Sequence, residues 1–168
     1  MFSSIIDLSK IDIRNLFDEL YAIFERDFII NKTYLNGNIY IDPQSHKKED
    51  KKEITFWHLT SRTNKNLGDR YPDFRRSERI EWIKKIIENH KTSEIKVFFY
   101  QESNMNIRLY LWAFNHDFTV IMQKLGKSSS FLVTSFYIDY KGKKDDFEKR
   151  YNNYLNNIDN IQDKAWLD

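Results

Sequence analysis

The chain contains no cysteine, so disulfide staples, thiolate metal sites and a cysteine nucleophile are all excluded. A thiol-free composition suits a reducing compartment, and the expected location is the cytoplasm. No apolar run approaches the roughly 20 residues of a membrane-spanning helix. The first twenty residues carry Asp7, Lys10, Asp12, Arg14, Asp18 and Glu19 in place of a signal-peptide core, so no membrane partner is expected. The glycine-rich phosphate loop, His-Glu-x-x-His and the acidic calcium loop are missing too, and no metal or other cofactor is expected. Net charge is also scarce: +2 is too little to argue for a nucleic-acid partner by itself.

The distribution of charge says more than its sum. Residues 1–28 hold six acids against three bases, whereas Arg62, Lys65, Arg70, Arg75, Arg76, Arg79, Lys84, Lys85 and Lys91 crowd residues 61–91. Such a run is either a solvated helix face or a surface for an anion. Aromatic residues make up 16% of the chain, as 13 Phe, 10 Tyr and 4 Trp; most belong in a core.

At 168 residues the chain fits one domain, with an N-terminal helix, ribbon and exposed loop over 1–53 and a core over 54–168. Leu16, Leu20, Ile23 and Phe24 form one helical stripe, predicting a helix within Ser9–Asp27. Asn36-Gly37 supplies the positive φ angles of a tight turn, predicting a small ribbon over Tyr34–Ile41. His46–Glu53 has no apolar residue and reads as an exposed, mobile loop whose removal costs little stability. Ile54–Leu59 reads as a short strand or turn, and Thr60–Tyr71 as loop. Ser77, followed by Ile80, Ile83, Ile86 and Ile87, predicts a second helix ending near Asn89.

From Glu94 the apolar period becomes two. Lys96–Tyr100, Ile107–Phe114, Phe118–Gln123 and Phe131–Ile138 are joined by short polar links, predicting an antiparallel meander. Lys144–Leu167 is compatible with a closing helix. The predicted class is α+β: N-terminal helices packed on a C-terminal four-stranded antiparallel meander, with a closing C-terminal helix.

Four histidines remain as candidates for proton transfer. His46, His90 and His116 lie in charged, helix-ending or turn stretches that favour structural or solvated roles. His58, in Phe56-Trp57-His58-Leu59-Thr60-Ser61-Arg62, is flanked by rings, hydroxyls and a guanidinium, and an imidazole there is able to exchange a proton without a metal. A core-edge histidine bonded to backbone is the alternative. In Tyr71-Pro72-Asp73-Phe74-Arg75-Arg76-Ser77-Glu78-Arg79, the arginines offer planar, permanently charged donors for a phosphate, or else pair with Asp73, Glu78 and Glu81.

The run Arg70-Tyr71-Pro72-Asp73-Phe74-Arg75-Arg76-Ser77-Glu78-Arg79-Ile80-Glu81-Trp82, with Ile86-Ile87-Glu88-Asn89, resembles a group of phage-associated and toxin-like bacterial proteins. Leu109-Tyr110-Leu111-Trp112, Asp117–Met122 and Phe131–Phe136 are similar to the same group, which is assigned to the superfamily of barnase, EndoU, colicin D and RelE-type nucleases. The resemblance spans about Phe56 to Arg150. Phe114-Asn115-His116 lengthens one hairpin, and Phe136-Tyr137 stands where a smaller residue and proline are usual.

The resemblance implies a metal-independent ribonuclease of toxin type, in which the ribose 2′-OH attacks the adjacent phosphate. RNA is the implied partner, with an antitoxin or immunity protein as a further one. That chemistry needs a base, cationic donors and a proton source. The expected catalytic set is His58, Arg79 and Thr134, the last a polar residue within an apolar strand. The expected RNA contacts are Arg62, Arg75, Arg76, Trp82, Trp112 and Tyr137. One cleft is expected to hold the catalytic three within about 10 Å. The alternatives are a non-catalytic RNA-binding or antitoxin-like module that uses Trp57, Trp82, Trp112 and Tyr137 as stacking surfaces, or an effector that binds another protein.

Overall fold

In the computed structural model, which describes residues 2–167, helix α1 (Leu16–Phe24) buries Leu16, Leu20 and Phe24 and runs on into a π-helical stretch, Glu25–Ile30. The helix does not begin at Ser9, because Asp7 binds the Ser9 backbone and hydroxyl and caps a separate 3-10 turn, after which Ile11 is extended. Strands β1 (Tyr34–Leu35) and β2 (Ile39–Asp42) form the expected ribbon, with Asn36 at φ 57° and Gly37 at φ 74° in its turn.

The next segment departs from expectation twice. His46–Glu53 is not a free loop but a short hairpin, β3 (Lys48–Glu49) with β4 (Lys52–Glu53). The Trp57 indole donates to the Glu49 carbonyl at 2.8 Å, the Ile54 amide to the Lys47 carbonyl, and Arg70 to the Glu49 carboxylate at 2.7 Å. A segment without apolar side chains is thus held through its backbone and charges. Deleting Lys47–Lys51 behind a short Gly-Ser bridge is expected to cost about 2 kcal/mol, because the buried indole loses its acceptor; urea titration measures it, and an unchanged midpoint would restore the free-loop reading. Ile54–Thr60 forms a helix, α2, not a strand. Its β-branched and aromatic residues favour a strand locally, but Thr55, Phe56, Trp57, Leu59 and Thr60 are all buried, and packing on several sides overrides that preference.

Strands β5 (Ser61–Thr63) and β6 (Arg70–Pro72) pair as a hairpin where loop was expected. Then come α3 (Phe74–Ser77) and α4 (Ile80–Glu88). Ile80, Ile83, Ile86 and Ile87 are buried as the periodicity predicts, but Ser77 is not the cap of that helix. Asp73 caps α3 through the Arg76 amide, and the Ser77 hydroxyl donates to the Thr60 carbonyl.

Strands β7 (Lys96–Gln101), β8 (Ile107–Ala113), β9 (Phe118–Lys124) and β10 (Ser129–Tyr137) pair antiparallel in sequence order. They do not form a four-stranded sheet, and that expectation is corrected. The sheet has six strands in the order β1-β2-β10-β9-β8-β7 and is mixed, since β2 lies parallel to β10 with Tyr40, Ile41 and Asp42 opposite Ser129, Ser130 and Phe131. Parallel neighbours need a long crossover; here it is everything from the third strand to the ninth, and no local pattern announces it.

Both sheet faces are covered. Phe99, Leu109, Leu111, Val120, Met122 and Leu132 pack toward α1, α2 and α4 in one cluster that also takes in Phe24, Phe56 and Ile41. Phe98, Tyr110, Trp112 and Ile121 form a second cluster with Phe147 of helix α5 (Lys141–Leu155). The closing helical region is therefore two helices, α5 and α6 (Lys164–Leu167). Residues before 54 supply part of the main core and are not an appendage to it. Among the described residues, no helix is long and apolar enough to cross a membrane.

Candidate functional site

Strand β2 borders β10 only as far as Phe131, which leaves the rest of that edge without a strand partner. Helices α2 and α3 pack there. A β-bulge between Leu132 and Thr134 inserts Val133 as an extra residue, so Leu132 faces Met122 while Thr134 is opposite Ile121. The Thr134 hydroxyl donates to the His58 carbonyl at 3.0 Å. The Arg76 guanidinium donates to the same carbonyl at 2.8 Å and lies 3.5 Å from the hydroxyl. One peptide oxygen at the C-terminal end of α2 thus holds a strand hydroxyl and an arginine together.

Asp73 fixes the arginines from behind. It is buried, accepts from Arg62 at 2.5 Å and lies 3.1 Å from Arg76. In front of this cluster is a cleft of about 520 Å³ lined by Arg62, Arg76, Thr134, Tyr137, Asp139 and Lys143, among others. Lys143, from the first turn of α5, sits 4.0 Å above the Phe136 ring. Desolvation lowers its pKa, as do the charges of Arg76 and Arg62, against the pull of Asp139. Arg62, Arg76 and Lys143 meet two carboxylates, Asp73 behind the arginines and Asp139 on the wall, which leaves one positive charge in excess beside the Thr134 hydroxyl.

The His58 side chain is exposed and does not line the cleft; the residue joins the cleft wall through its backbone carbonyl, which holds Arg76 and Thr134. The imidazole pKa is lowered, first by desolvation and next by the charge of Arg70, with Arg76 adding to this. The Val133 backbone and the Glu49 charge oppose the shift without cancelling it. The ring is therefore neutral at pH 7 and able to accept a proton. His90 is buried on the Ile87 carbonyl at 3.0 Å and is lowered by desolvation too.

For both histidines the unfolded chain takes up its proton first on acidification. Their stabilisation is therefore full above the ordinary value of 6.5 and is lost as pH falls through the folded values. The melting temperature is expected to drop from about pH 7 to about pH 5, and His90→Gln to flatten part of that slope. A slope unchanged in the variant would remove His90 from the account.

The other expected residues divide. Arg62, Arg76 and Tyr137 line the cleft. Arg79 does not: its guanidinium is buried, bonded to the Glu78 carboxylate and the Arg75 carbonyl, and stacked 4.6 Å from the Tyr137 ring centre. Arg75 approaches the same ring at 5.0 Å. Arg79 is therefore a brace for Tyr137, because its guanidinium is buried against Glu78 and the Tyr137 ring, and the arginines that line the cleft are Arg62 and Arg76. Trp82 and Trp112 are corrected as well. Trp82 donates its indole to the Ser3 carbonyl and packs on Phe2, and Trp112 packs on Phe147. Both are buried, and so is Trp57, so these three offer no open face to a base.

Sequence reasoning named Asp73 as an alternative partner of the arginines and missed Lys143 and Asp139. Nothing local marks Lys143, which joins Arg62 in the cleft only through the docking of α5. Among the described residues no group of three or more His, Asp or Glu is placed to hold a metal ion. No protein-family model, no curated protein and no solved structure matches the chain, so its function is read from the chemistry of the cleft.

Proposed function

We propose that this protein is an endoribonuclease that binds an RNA phosphate in the Arg62–Arg76–Lys143 cleft and cleaves the chain through the adjacent ribose 2′-OH. The observation that carries this reading is the junction of Arg76, Thr134 and the His58 carbonyl at the wall of a cationic cleft. Neutral His58 takes the 2′-OH proton, and the oxygen forms a bond to phosphorus. Arg62 and Arg76 stabilise the charge that develops on the phosphoryl oxygens, and Thr134 orients them. The bond from phosphorus to the 5′-oxygen breaks, and that oxygen takes a proton from Lys143. The products are a 2′,3′-cyclic phosphate and a 5′-hydroxyl.

The test is incubation of purified protein with total RNA in EDTA, followed by analysis of the RNA ends. Cleavage leaving cyclic phosphates is the expected result. Salt-sensitive binding without cleavage would make the protein an RNA-binding module, and absence of both would end the nucleic-acid reading. A ribonuclease of this kind harms the cell that makes it unless a partner covers the cleft. Expression in bacteria is accordingly expected to slow growth, and His58→Ala to relieve it.

A further inference from the structure

Of the aromatic side chains described, only Tyr34, Tyr71, Phe74 and Tyr140 are exposed. Three of these four gather at one place. Tyr140 lines the cationic cleft, while Tyr71 and Phe74 line a second, adjoining groove of about 380 Å³ with Pro72, Asp73, Arg62 and Arg75. Arg62 belongs to both. The cause is the β5–β6 hairpin, where Arg62 is directly opposite Tyr71 and the two side chains share a face.

Tyr71 is 46% and Phe74 53% exposed, whereas the other described Phe, Tyr and Trp rings, Tyr34 and Tyr140 apart, are buried or partly buried. Among the described residues neither has a ring contact with another aromatic residue or a cation, in contrast to Tyr137, which two arginines engage. A groove of open rings between Arg62 and Arg75 fits a flat, apolar group carried on an anionic chain.

We propose that the Tyr71–Phe74 groove is a base-binding subsite, which takes the unstacked base of a nucleotide neighbouring the phosphate held by Arg62 and Arg76. The proposal rests on the RNA reading of the cleft and adds the substrate class to it: single-stranded RNA, since a base inside a duplex presents no open ring face. Stacking on two rings tolerates any base, so the groove supplies affinity and register along the strand, not a strict sequence code. Arg62, shared by both grooves, sets the spacing between base and phosphate.

The experiment is fluorescence anisotropy with a labelled single-stranded 2′-O-methyl oligoribonucleotide, which the proposed reaction cannot cut. The same strand annealed to its complement and inorganic polyphosphate, which has charge but no bases, serve as the comparison ligands. Tyr71→Ala and Phe74→Ala are each expected to weaken single-strand binding by roughly tenfold, leaving the competition by polyphosphate unchanged. Tyr71→Phe and Phe74→Tyr, which keep a ring, are expected to retain wild-type affinity. The duplex is expected to bind less tightly than the single strand.

Equal losses for the single strand and polyphosphate, no loss in the alanine variants, or a duplex bound as tightly as the strand would each overturn the subsite. In those three cases wild-type cleavage of total RNA in EDTA would leave the reading of the cleft standing. Wild-type protein that binds none of the three ligands would overturn both. Thermal melts of the alanine variants accompany the titrations, and Tyr71→Phe with Phe74→Tyr keeps the comparison valid if either alanine variant melts early.

Discussion

His58→Ala is expected to slow RNA cleavage by about 100-fold or more, the usual contribution of a positioned general base, while the melting temperature at neutral pH barely moves. The two halves of this expectation have separate causes. The imidazole is exposed, whereas the contacts that organise the site come from the His58 backbone carbonyl, which alanine retains. Arg76 and Thr134 therefore stay in place when the ring is removed. Because desolvation and Arg70 lower the pKa of His58, the acidic limb of the wild-type kcat/KM profile is expected below the ordinary imidazole value of 6.5. In the variant that limb is expected to vanish. Variant activity within a few-fold of wild type, or an unchanged acidic limb, would show that another group takes the proton.

The second large effect is on stability. Phe56 is fully buried and lies at the centre of a ring cluster, with Trp57 at 5.0 Å, Tyr21 at 5.3 Å, Phe24 at 5.7 Å and Phe17 at 6.4 Å between centroids. Phe56→Ala removes a whole ring from contacts that join α1 to α2, at an expected cost of about 3–5 kcal/mol. In a chain of this length that corresponds to a fall in melting temperature of about 10 °C. Denaturant titration should show a lower midpoint with an unchanged slope. Phe17 and Tyr21 are only partly buried, so a cost under about 1 kcal/mol would mean that they swing inward and fill the space. Since α2 also carries His58, the variant tests how far the cleft depends on that packing: cleavage per folded molecule is expected to fall along with stability.

The legible parts of this chain are those whose signals are local. The Asn36-Gly37 turn, the isoleucine stripe of α4 and the antiparallel pairing of the four C-terminal strands all follow from neighbouring residues and their spacing. So does the polar break at Thr134 within an apolar strand. The misread parts were decided by partners far away in sequence. Ile54–Thr60 carries strand-favouring residues yet is helical because it is buried on several sides. The apolar-free stretch 46–53 is fixed because Trp57 and Arg70 bond to Glu49. Arg79 and Arg76 look equivalent in the sequence, but the turn from α3 to α4 buries the first against Glu78 and aims the second at Thr134.

The sequence by itself determined that no disulfide or thiolate site exists, that the C-terminal strands alternate, and that a basic, arginine-rich segment lies close to His58. Those properties reside in residue chemistry and short-range periodicity, and they hold in any fold. Only the tertiary structure decided that β2 joins β10 in parallel and leaves part of its edge to α2 and α3, and that a bulge at Val133 sets Thr134 against the His58 carbonyl. It also decided that α5 brings Lys143 to the arginines and that Tyr71 and Phe74 stay open beside them. Each of these is a contact between segments far apart in the chain, selected by how two covered sheet faces and one partly unpaired strand edge are filled together.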